Sequence, residues 1–145
     1  MLNIVAGFLI LACLACGYFY YQGSRSATLA PVTLAAGSIP KCGSRPNCVC
    51  SLQDPTDEHF IEAIDLGGRD ALAVVAAIES IGGRIVSSDD VTIQATVTSG
   101  IFKFVDDLIV QIDNGTLNVR SSSRVGHSDL GANRKRIELL RQALL

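Results

Sequence analysis

Apolar residues follow three different patterns along the chain. A largely apolar run with no charged side chain occupies Leu2 to Tyr21 and ends in four aromatic residues. Further along, strict alternation of apolar and polar residues marks several short segments as strands. Apolar residues three and four positions apart mark two helices, Arg69 to Ser80 and Leu130 to Leu144. The pattern predicts an apolar helix followed by a domain of strands and helices.

The apolar run at residues 1–21 is as long as the hydrocarbon core of a bilayer requires, about 20 residues. Its aromatic end is typical of the headgroup interface. We therefore expect a transmembrane anchor that contacts the lipid bilayer through residues 2–21. A cleaved signal peptide normally begins with basic residues, and none precedes Arg25. A lipoprotein signal stays open as an alternative, because Cys13 and Cys16 each follow an alanine.

The next segment, residues 22–41, is rich in small residues and has no periodicity, which predicts a flexible linker. Cys42 and Cys48 then enclose a short loop, a spacing that is compatible with a disulfide. A disulfide implies an oxidising, extracytoplasmic compartment. Arg25, on the domain side of the anchor, favours the opposite orientation by the positive-inside rule, so a domain that faces the cytoplasm stays open.

Residues 42–145 are expected to form a single α+β domain. Alternation predicts strands at 60–64, 84–87 and 91–98 and in two runs on either side of residues 114–115. Antiparallel pairing of neighbours gives a two-layer fold with a mainly antiparallel sheet of four or five strands. The Arg69–Ser80 and Leu130–Leu144 helices are expected on one face of that sheet.

An Asn-Gly pair at residues 114–115 is the strongest local signal in the chain. Between two alternating runs it predicts a two-residue type I′ hairpin turn. Counting back from that turn places Asp107 opposite Ser122 and Asp106 opposite Ser123. Because strand side chains alternate between faces, Asp106 is expected on the apolar face and Asp107 on the opposite face.

Two groups of polar residues follow from this register. The first is expected to face inward and form a structural network between the sheet and the last helix: Asp106, Ser121, Ser123, Asp129 and Asn133. The second is expected to face outward and to bind a small anionic ligand, through arginine side chains and the free N–H groups of a helix start. Its members are Asp107, Arg120, Arg124, His127, Ser128 and Arg134.

Other chemistry is less well supported by the residues. A hydrolase that uses the region of His127 and Asp129 is the alternative to a binding module, but the members of a catalytic triad usually come from separate elements. A metal site built from the three domain cysteines and His59 lacks the paired spacing of zinc sites, so we expect no metal and no cofactor. The net charge of −2, with mixed signs, argues against nucleic-acid binding.

Three motifs in the domain, PNCVCS, FKFVDD and VRSSSRVGHSDLGANRKRIELLR, resemble the bacterial and plastid domain of unknown function 1499 family. The resemblance covers about Cys42 to Leu145, and the last motif is long and specific. Cys50 stands where the family usually has serine. The residues that carry the family's signature here are Asp106, Asp107, Arg120, Ser121, Ser123, Arg124, Gly126, Asp129, Gly131, Asn133, Arg134 and Arg136.

The resemblance implies no reaction, since the family has no established activity. Its members are often carried behind a membrane segment or an export signal. Together with the disulfide, this favours a single-pass protein of the bacterial inner membrane with a periplasmic domain. We therefore expect an envelope protein of unknown biochemical function that binds a small anionic ligand or another envelope protein.

Overall fold

One long helix precedes a domain of strands and helices in the structure, a computed structural model that describes residues 2–145. The elements in chain order are α1 Leu2–Thr28, β1 Cys48–Cys50, β2 Ile64–Asp65, α2 Ala71–Ser80, β3 Gly83–Ser88, β4 Thr92–Thr98, β5 Val105–Asp113, β6 Thr116–Ser123 and α3 Ala132–Ala143. The predicted α+β class is confirmed, and α1 is long and apolar enough to cross a membrane.

The strands form one antiparallel sheet in the order β1-β6-β5-β4-β3, with β2 also paired to β6. Because β1 and β2 lie end to end along the same edge of β6, six strands make a sheet that is five strands wide. The strand predicted at residues 60–64 is wrong in its position. Only Ile64–Asp65 reaches β6, because β1 occupies the neighbouring stretch of that edge, and Phe60 instead makes an isolated parallel bridge to Cys50.

The hairpin between β5 and β6 has the predicted turn and register. Asn114 and Gly115 both have positive φ, 49° and 79°, as a type I′ turn requires. Asp106 pairs with Ser123 and Asp107 with Ser122. The two adjacent aspartates therefore lie on opposite faces of the sheet.

The helices α2 and α3 cover one face of the sheet, as predicted. Asp70 caps α2 by accepting a hydrogen bond from the N–H of Ala73 at 3.0 Å. The core between the layers is built from side chains of both helices and of the central strands, among them Val74, Ile78, Leu108, Val110, Leu117, Val119, Ile137 and Leu140.

The predicted start of the last helix at Leu130 is wrong. Leu130 has a φ of 54°, and its side chain is 97% exposed rather than part of the buried stripe. The chain turns before the helix because the Asp129 carboxylate accepts hydrogen bonds from the N–H groups of Gly131 (3.1 Å) and Asn133 (2.7 Å). The helix therefore begins at Ala132, and Asn133, Ile137 and Leu140 form its buried side.

The second face of the sheet is covered by the chain that follows α1. Residues 22–28, predicted as part of a flexible linker, continue the helix to Thr28. Beyond it, Ile39 is buried in a second apolar cluster with Cys50 and Ile109, and Val32 packs against that cluster. The composition of this segment resembles a linker because it is short of large apolar residues, yet a few of them suffice to hold it against the sheet.

The last turns of α1 pack directly on the domain. The rings of Phe19 and Phe102 lie with their centroids 5.3 Å apart. The N–H of Val105 donates to Ser26 Oγ at 2.8 Å. The backbones come closest at Gly23, where an added Cβ atom would lie 1.6 Å from the carbonyl oxygen of Phe102. This position therefore needs glycine for contact between helix and domain.

We predict that Gly23→Ala separates α1 from the domain. The new methyl group overlaps the Phe102 backbone, and such overpacking costs about 1–3 kcal/mol of unfolding free energy. Hydrogen exchange on the full chain in detergent measures this as faster exchange of the Val105 amide. Gly17→Ala, in the same helix with nothing within 4 Å of its added Cβ, is the matched control and should exchange like the parent. Equal exchange in the two variants would contradict the contact.

Candidate functional site

The five residues predicted to face inward meet in one buried network. Asn133 lies at its centre and is fully buried. Its Nδ2 donates to Asp129 Oδ2 at 2.7 Å and to Ser123 Oγ at 3.1 Å, and its Oδ1 accepts from Ser121 Oγ at 2.6 Å. The polar groups of Asn133, Ser121 and Ser123 are thus bonded to one another or to Asp129, which lowers the cost of burying them, whereas Asp106 Oδ1 is buried without a hydrogen-bond partner among the described residues.

Asp106 joins this network through an arginine that periodicity alone does not identify. Arg136 Nη2 donates to Asp106 Oδ2 at 2.6 Å, and its Nη1 donates to Ser121 Oγ at 2.8 Å. Asp106 and Arg136 are both largely buried. Arg136 lies three residues after Asn133 and therefore on the same side of α3. This spacing, together with the need of the buried Asp106 carboxylate for a cation, could have identified Arg136 from the sequence.

On the opposite face, Asp107 and Arg124 form a buried ion pair. Arg124 Nη2 lies 2.7 Å from Asp107 Oδ1, and its Nε donates to the same carboxylate at 3.0 Å. The two residues lie on the predicted face, but the expected exposure is wrong, since the side chains of Arg124 and Asp107 are only 8% and 3% exposed. The segment after α1 covers them: Arg124 Nη1 donates to the carbonyl of Leu29 (2.9 Å), and the N–H of Val32 donates to Asp107 (3.1 Å).

Arg120 is a buried cation with almost no partners. Its residue is 8% exposed, and Nη1 donates to Ser122 Oγ. Among residues 2–145, its buried Nε has no hydrogen-bond partner, and the guanidinium forms no ion pair. Burial lowers the pKa of Arg120 below its ordinary value, while Cys50 and Asp107 act in the opposite direction. The Asp107 carboxylate, which lines the same cavity, is already engaged by Arg124.

A cavity of about 560 Å³ opens beside Arg120. Its walls are formed by Leu29 to Val32, by the loop from Gly43 to Cys48, and by the polar ends of β5 and β6. The charged residues in the lining are three arginines and one aspartate: Arg45, Arg120, Arg124 and Asp107. The cavity is therefore positive in net charge and suited to an anion.

The other residues predicted for the ligand site lie elsewhere. Arg134 Nη2 donates to the carbonyl groups of Glu58 and Phe60, each at 2.8 Å, and holds that loop against α3. His127 and Ser128 are exposed and line a separate apolar groove beside α1. The start of α3 is not free for an anion, because the Asp129 carboxylate occupies it. Of the predicted set, only Asp107, Arg120 and Arg124 come together.

The loop that borders the cavity is closed by a disulfide between Cys42 and Cys48, with the Cα atoms 5.8 Å apart. This pairing was predicted and is confirmed. Cys50 remains a free thiol and is fully buried, and burial raises its pKa. The disulfide removes two thiolates from the metal set considered above, so the third cysteine and His59 do not combine with them as ligands.

His59 fixes the same loop from the other side. Its Nδ1 lies 2.7 Å from Asp57 Oδ1, and its Nε2 lies 3.0 Å from the carbonyl oxygen of Arg45. Both neighbours are acceptors, so only the doubly protonated imidazolium donates to both. The hydrogen bond to Asp57 raises the pKa of His59. The backbone N–H of His59, the Gln53 side chain and the imidazole all donate to the Asp57 carboxylate and hold its pKa at about 2. His59 was considered in the sequence only as a metal ligand, and its role in holding Arg45 was missed.

Comparison with known proteins identifies a family but no activity. A family model described as Protein of unknown function (DUF1499) matches residues 38–144. The predicted resemblance is confirmed, and the match covers more than half of the 145 residues. No curated protein matches the chain.

We predict that Arg124→Met strongly destabilises the fold. It leaves the buried Asp107 carboxylate without its cation, which costs about 3–5 kcal/mol of unfolding free energy. Urea denaturation of the full chain in detergent measures the change. Arg84→Met is the matched control, because Arg84 is exposed on β3, and it should change stability by less than about 0.5 kcal/mol. Similar midpoints for the two variants would mean that the ion pair does not hold the second face.

We predict that His59 makes stability fall as pH rises. The pKa of His59 is higher in the folded state than in the unfolded state. Its contribution to the unfolding free energy is therefore complete below the unfolded-state pKa of about 6.5, and it is lost as pH rises through the folded-state pKa. The charged groups around the ring are Asp57, Glu58, Asp129 and Arg134. Unfolding free energies measured from about pH 6 to about pH 8 should fall less steeply in His59→Gln than in the parent.

The control is His127→Gln, since His127 is the chain's other histidine and is exposed. In this variant the unfolding free energy should change with pH as steeply as in the parent. If His127→Gln flattens the slope and His59→Gln does not, the imidazolium bridge between Asp57 and Arg45 is wrong.

Proposed function

We propose that this chain, which belongs to the DUF1499 family, is a membrane-anchored module that binds a small anionic ligand, a carboxylate or phosphate compound, in the cavity around Arg120. The observation that carries the proposal is the buried guanidinium of Arg120, whose Nε has no hydrogen-bond partner among the described residues. A buried donor without a partner costs about 1–3 kcal/mol. A ligand oxyanion that accepts from this group would remove that penalty.

The charges around the cavity support an anionic ligand. Asp107 is paired with Arg124 and forms no ion pair with Arg120 among the described residues. Arg45 adds a further positive charge from the loop at the rim of the cavity. An arginine fork binds a carboxylate or phosphate through two parallel hydrogen bonds, and such charge-assisted bonds are stronger than those between neutral groups. Arg120 therefore has the role of the anchoring residue and Arg45 that of a second contact.

The geometry of the rim favours a preformed site. The disulfide closes the loop that carries Arg45, and the His59 imidazolium holds the carbonyl of the same residue. On the other side, Leu29 and Val32 are tied to the Arg124–Asp107 pair. A site with fixed walls loses little conformational entropy on binding, which favours affinity for a small ligand.

The anchor in this proposal is α1, with its apolar residues 2–21 in the lipid bilayer. The disulfide supports an extracytoplasmic domain, because cytoplasmic thiols are kept reduced. We therefore place the protein in a bacterial inner membrane as a single-pass protein with a periplasmic domain. A lipoprotein, or a domain that faces the cytoplasm, is the alternative.

The hydrolase alternative is weaker on geometric grounds. The Asp129 carboxylate accepts hydrogen bonds from Gly131, from the backbone of Asn133 and from the Asn133 side chain. It therefore serves as the cap of α3 rather than as a partner that orients His127. His127 is exposed in the loop before α3, where water competes for any proton it transfers. Binding explains the buried cation, and hydrolysis does not.

We predict that Arg120→Met weakens anion binding and stabilises the fold. Loss of one charge-assisted hydrogen bond of about 1.5–3 kcal/mol weakens binding about tenfold to hundredfold. Removing an unpaired buried cation should raise the unfolding free energy by about 1 kcal/mol or more. Titration calorimetry of the full chain in detergent, with inorganic phosphate and with succinate, measures affinity, and urea denaturation measures stability.

The matched control for this experiment is Lys135→Met, which removes an exposed cation of α3 outside the cavity. It should bind both anions like the parent chain. If Arg120→Met is less stable than the parent and the parent binds neither anion, Arg120 serves the fold and the proposal is wrong.

A further inference from the structure

A second, apolar groove of about 710 Å³ lies on the side of the domain next to the end of α1. One wall is α1 itself, through Tyr18 and Phe19. The loop between β4 and β5 and the loop before α3 form the other walls, with Phe102, Val125 and Leu130 among the lining residues. Most of the lining is apolar, which separates this groove from the positive cavity around Arg120.

The two loops of this groove expose large apolar side chains to the outside. Ile101 is 80% exposed and Leu130 is 97% exposed. Leu130 is also held at a φ of 54°, a conformation that L side chains rarely adopt. Its backbone strain is not offset by any packing of the side chain in the domain. The Asp129 hydrogen bonds to Gly131 and Asn133 hold this turn, and the turn presents the leucine beside the groove.

The position of the groove along α1 is the level at which the helix would leave the bilayer. At a rise of about 1.5 Å per residue, the apolar stretch 2–21 spans about 30 Å, the thickness of the hydrocarbon core. Tyr18 and Phe19 then lie at the headgroup interface. Because these residues form one wall of the groove, its apolar lining is continuous with the lipid-facing surface of the helix.

Positive charge lies close to this level. Arg84 and Lys103 line a neighbouring hollow against Ser24 and Ala27 of α1. Along the loop from β4 to β5, Phe102 and Phe104 face the groove while Lys103 faces the hollow. This arrangement places cations beside an apolar groove, which matches the phosphate and the acyl chains of a phospholipid.

We infer that the groove seats an acyl chain of a membrane phospholipid, with Ile101 and Leu130 inserted into the bilayer surface. The inference rests on the membrane anchor of the proposed function but not on anion binding at Arg120. Burial of Ile101 and Leu130 in lipid would add to the stability of the complex and hold the domain at a fixed orientation on the membrane. The protein would then contact lipid through its domain as well as through α1.

The test uses the full chain in liposomes of phosphatidylethanolamine and phosphatidylglycerol that contain a phospholipid with a photoreactive diazirine in its acyl chain. After irradiation, mass spectrometry of proteolytic fragments locates the adducts. We expect adducts in the 99–104 and 125–130 segments as well as in α1. Leu130→Ser should lower the adducts in those two segments about tenfold, since burying one leucine contributes about 1.5 kcal/mol or more.

Leu72→Ser is the matched control. Leu72 is 76% exposed on α2 and does not line the groove, so this variant should give the adduct pattern of the parent. Neither variant removes a packed side chain, so both should fold. Adducts confined to α1 would overturn the groove while the anchor stands. If no adducts form and the chain does not float with the liposomes, both the lipid-binding groove and the membrane anchor are overturned. Equal adduct yields in Leu130→Ser and the parent would overturn the role of Leu130.

Discussion

Two adjacent aspartates hold the layers of this fold together, because each is buried on a different face of the same strand and each needs its own cation. Asp106 is paired with Arg136 of α3 at 2.6 Å, and this contact joins the helical layer to the sheet. Asp107 is paired with Arg124 at 2.7 Å, and this contact secures the segment that covers the second face. A register slip of one residue would exchange the two carboxylates and leave each without its arginine. The Asn-Gly turn, which sets the register, therefore determines both ion pairs.

The candidate ligand site is a consequence of this pairing. Arg124 satisfies Asp107 through two nitrogen atoms, so the second face holds one neutralised pair and a further arginine, Arg120, with no carboxylate of its own. A fold selected only for stability has no need of such a residue, because an apolar side chain of similar size would cost less to bury. The cavity beside Arg120 leaves this unpaired charge open to a partner from outside the protein. In the proposed binding role, the cost of burying the guanidinium and the affinity for an anion would have the same physical origin.

The parts that the sequence predicts are those governed by short-range rules. The Asn-Gly turn and strict alternation give the β5–β6 register, and from it the faces of Asp106 and Asp107 follow by counting. The burial of Asp107 and Arg124 could not be predicted, because the segment that covers them has no periodicity and is held by backbone groups of Leu29 and Val32. The exposure of Leu130 was missed for a related reason: apolar spacing places it on the helix, while the Asp129 cap and a left-handed turn end the pattern before it.

The helix α1 and the segment that follows it form walls of the apolar groove and of the cavity around Arg120. Through the carbonyl of Leu29, the segment that ends α1 accepts a hydrogen bond from Arg124, and through Tyr18 and Phe19 the helix forms a wall of the apolar groove. Gly23 allows these contacts, since only a residue without a side chain lets the helix backbone reach Phe102. Arg124 also donates to the carbonyl of Leu29, and Asp107 accepts from the N–H of Val32, and all four residues line the cavity around Arg120. The segment that follows α1 and the wall of this cavity are therefore held by the same few hydrogen bonds.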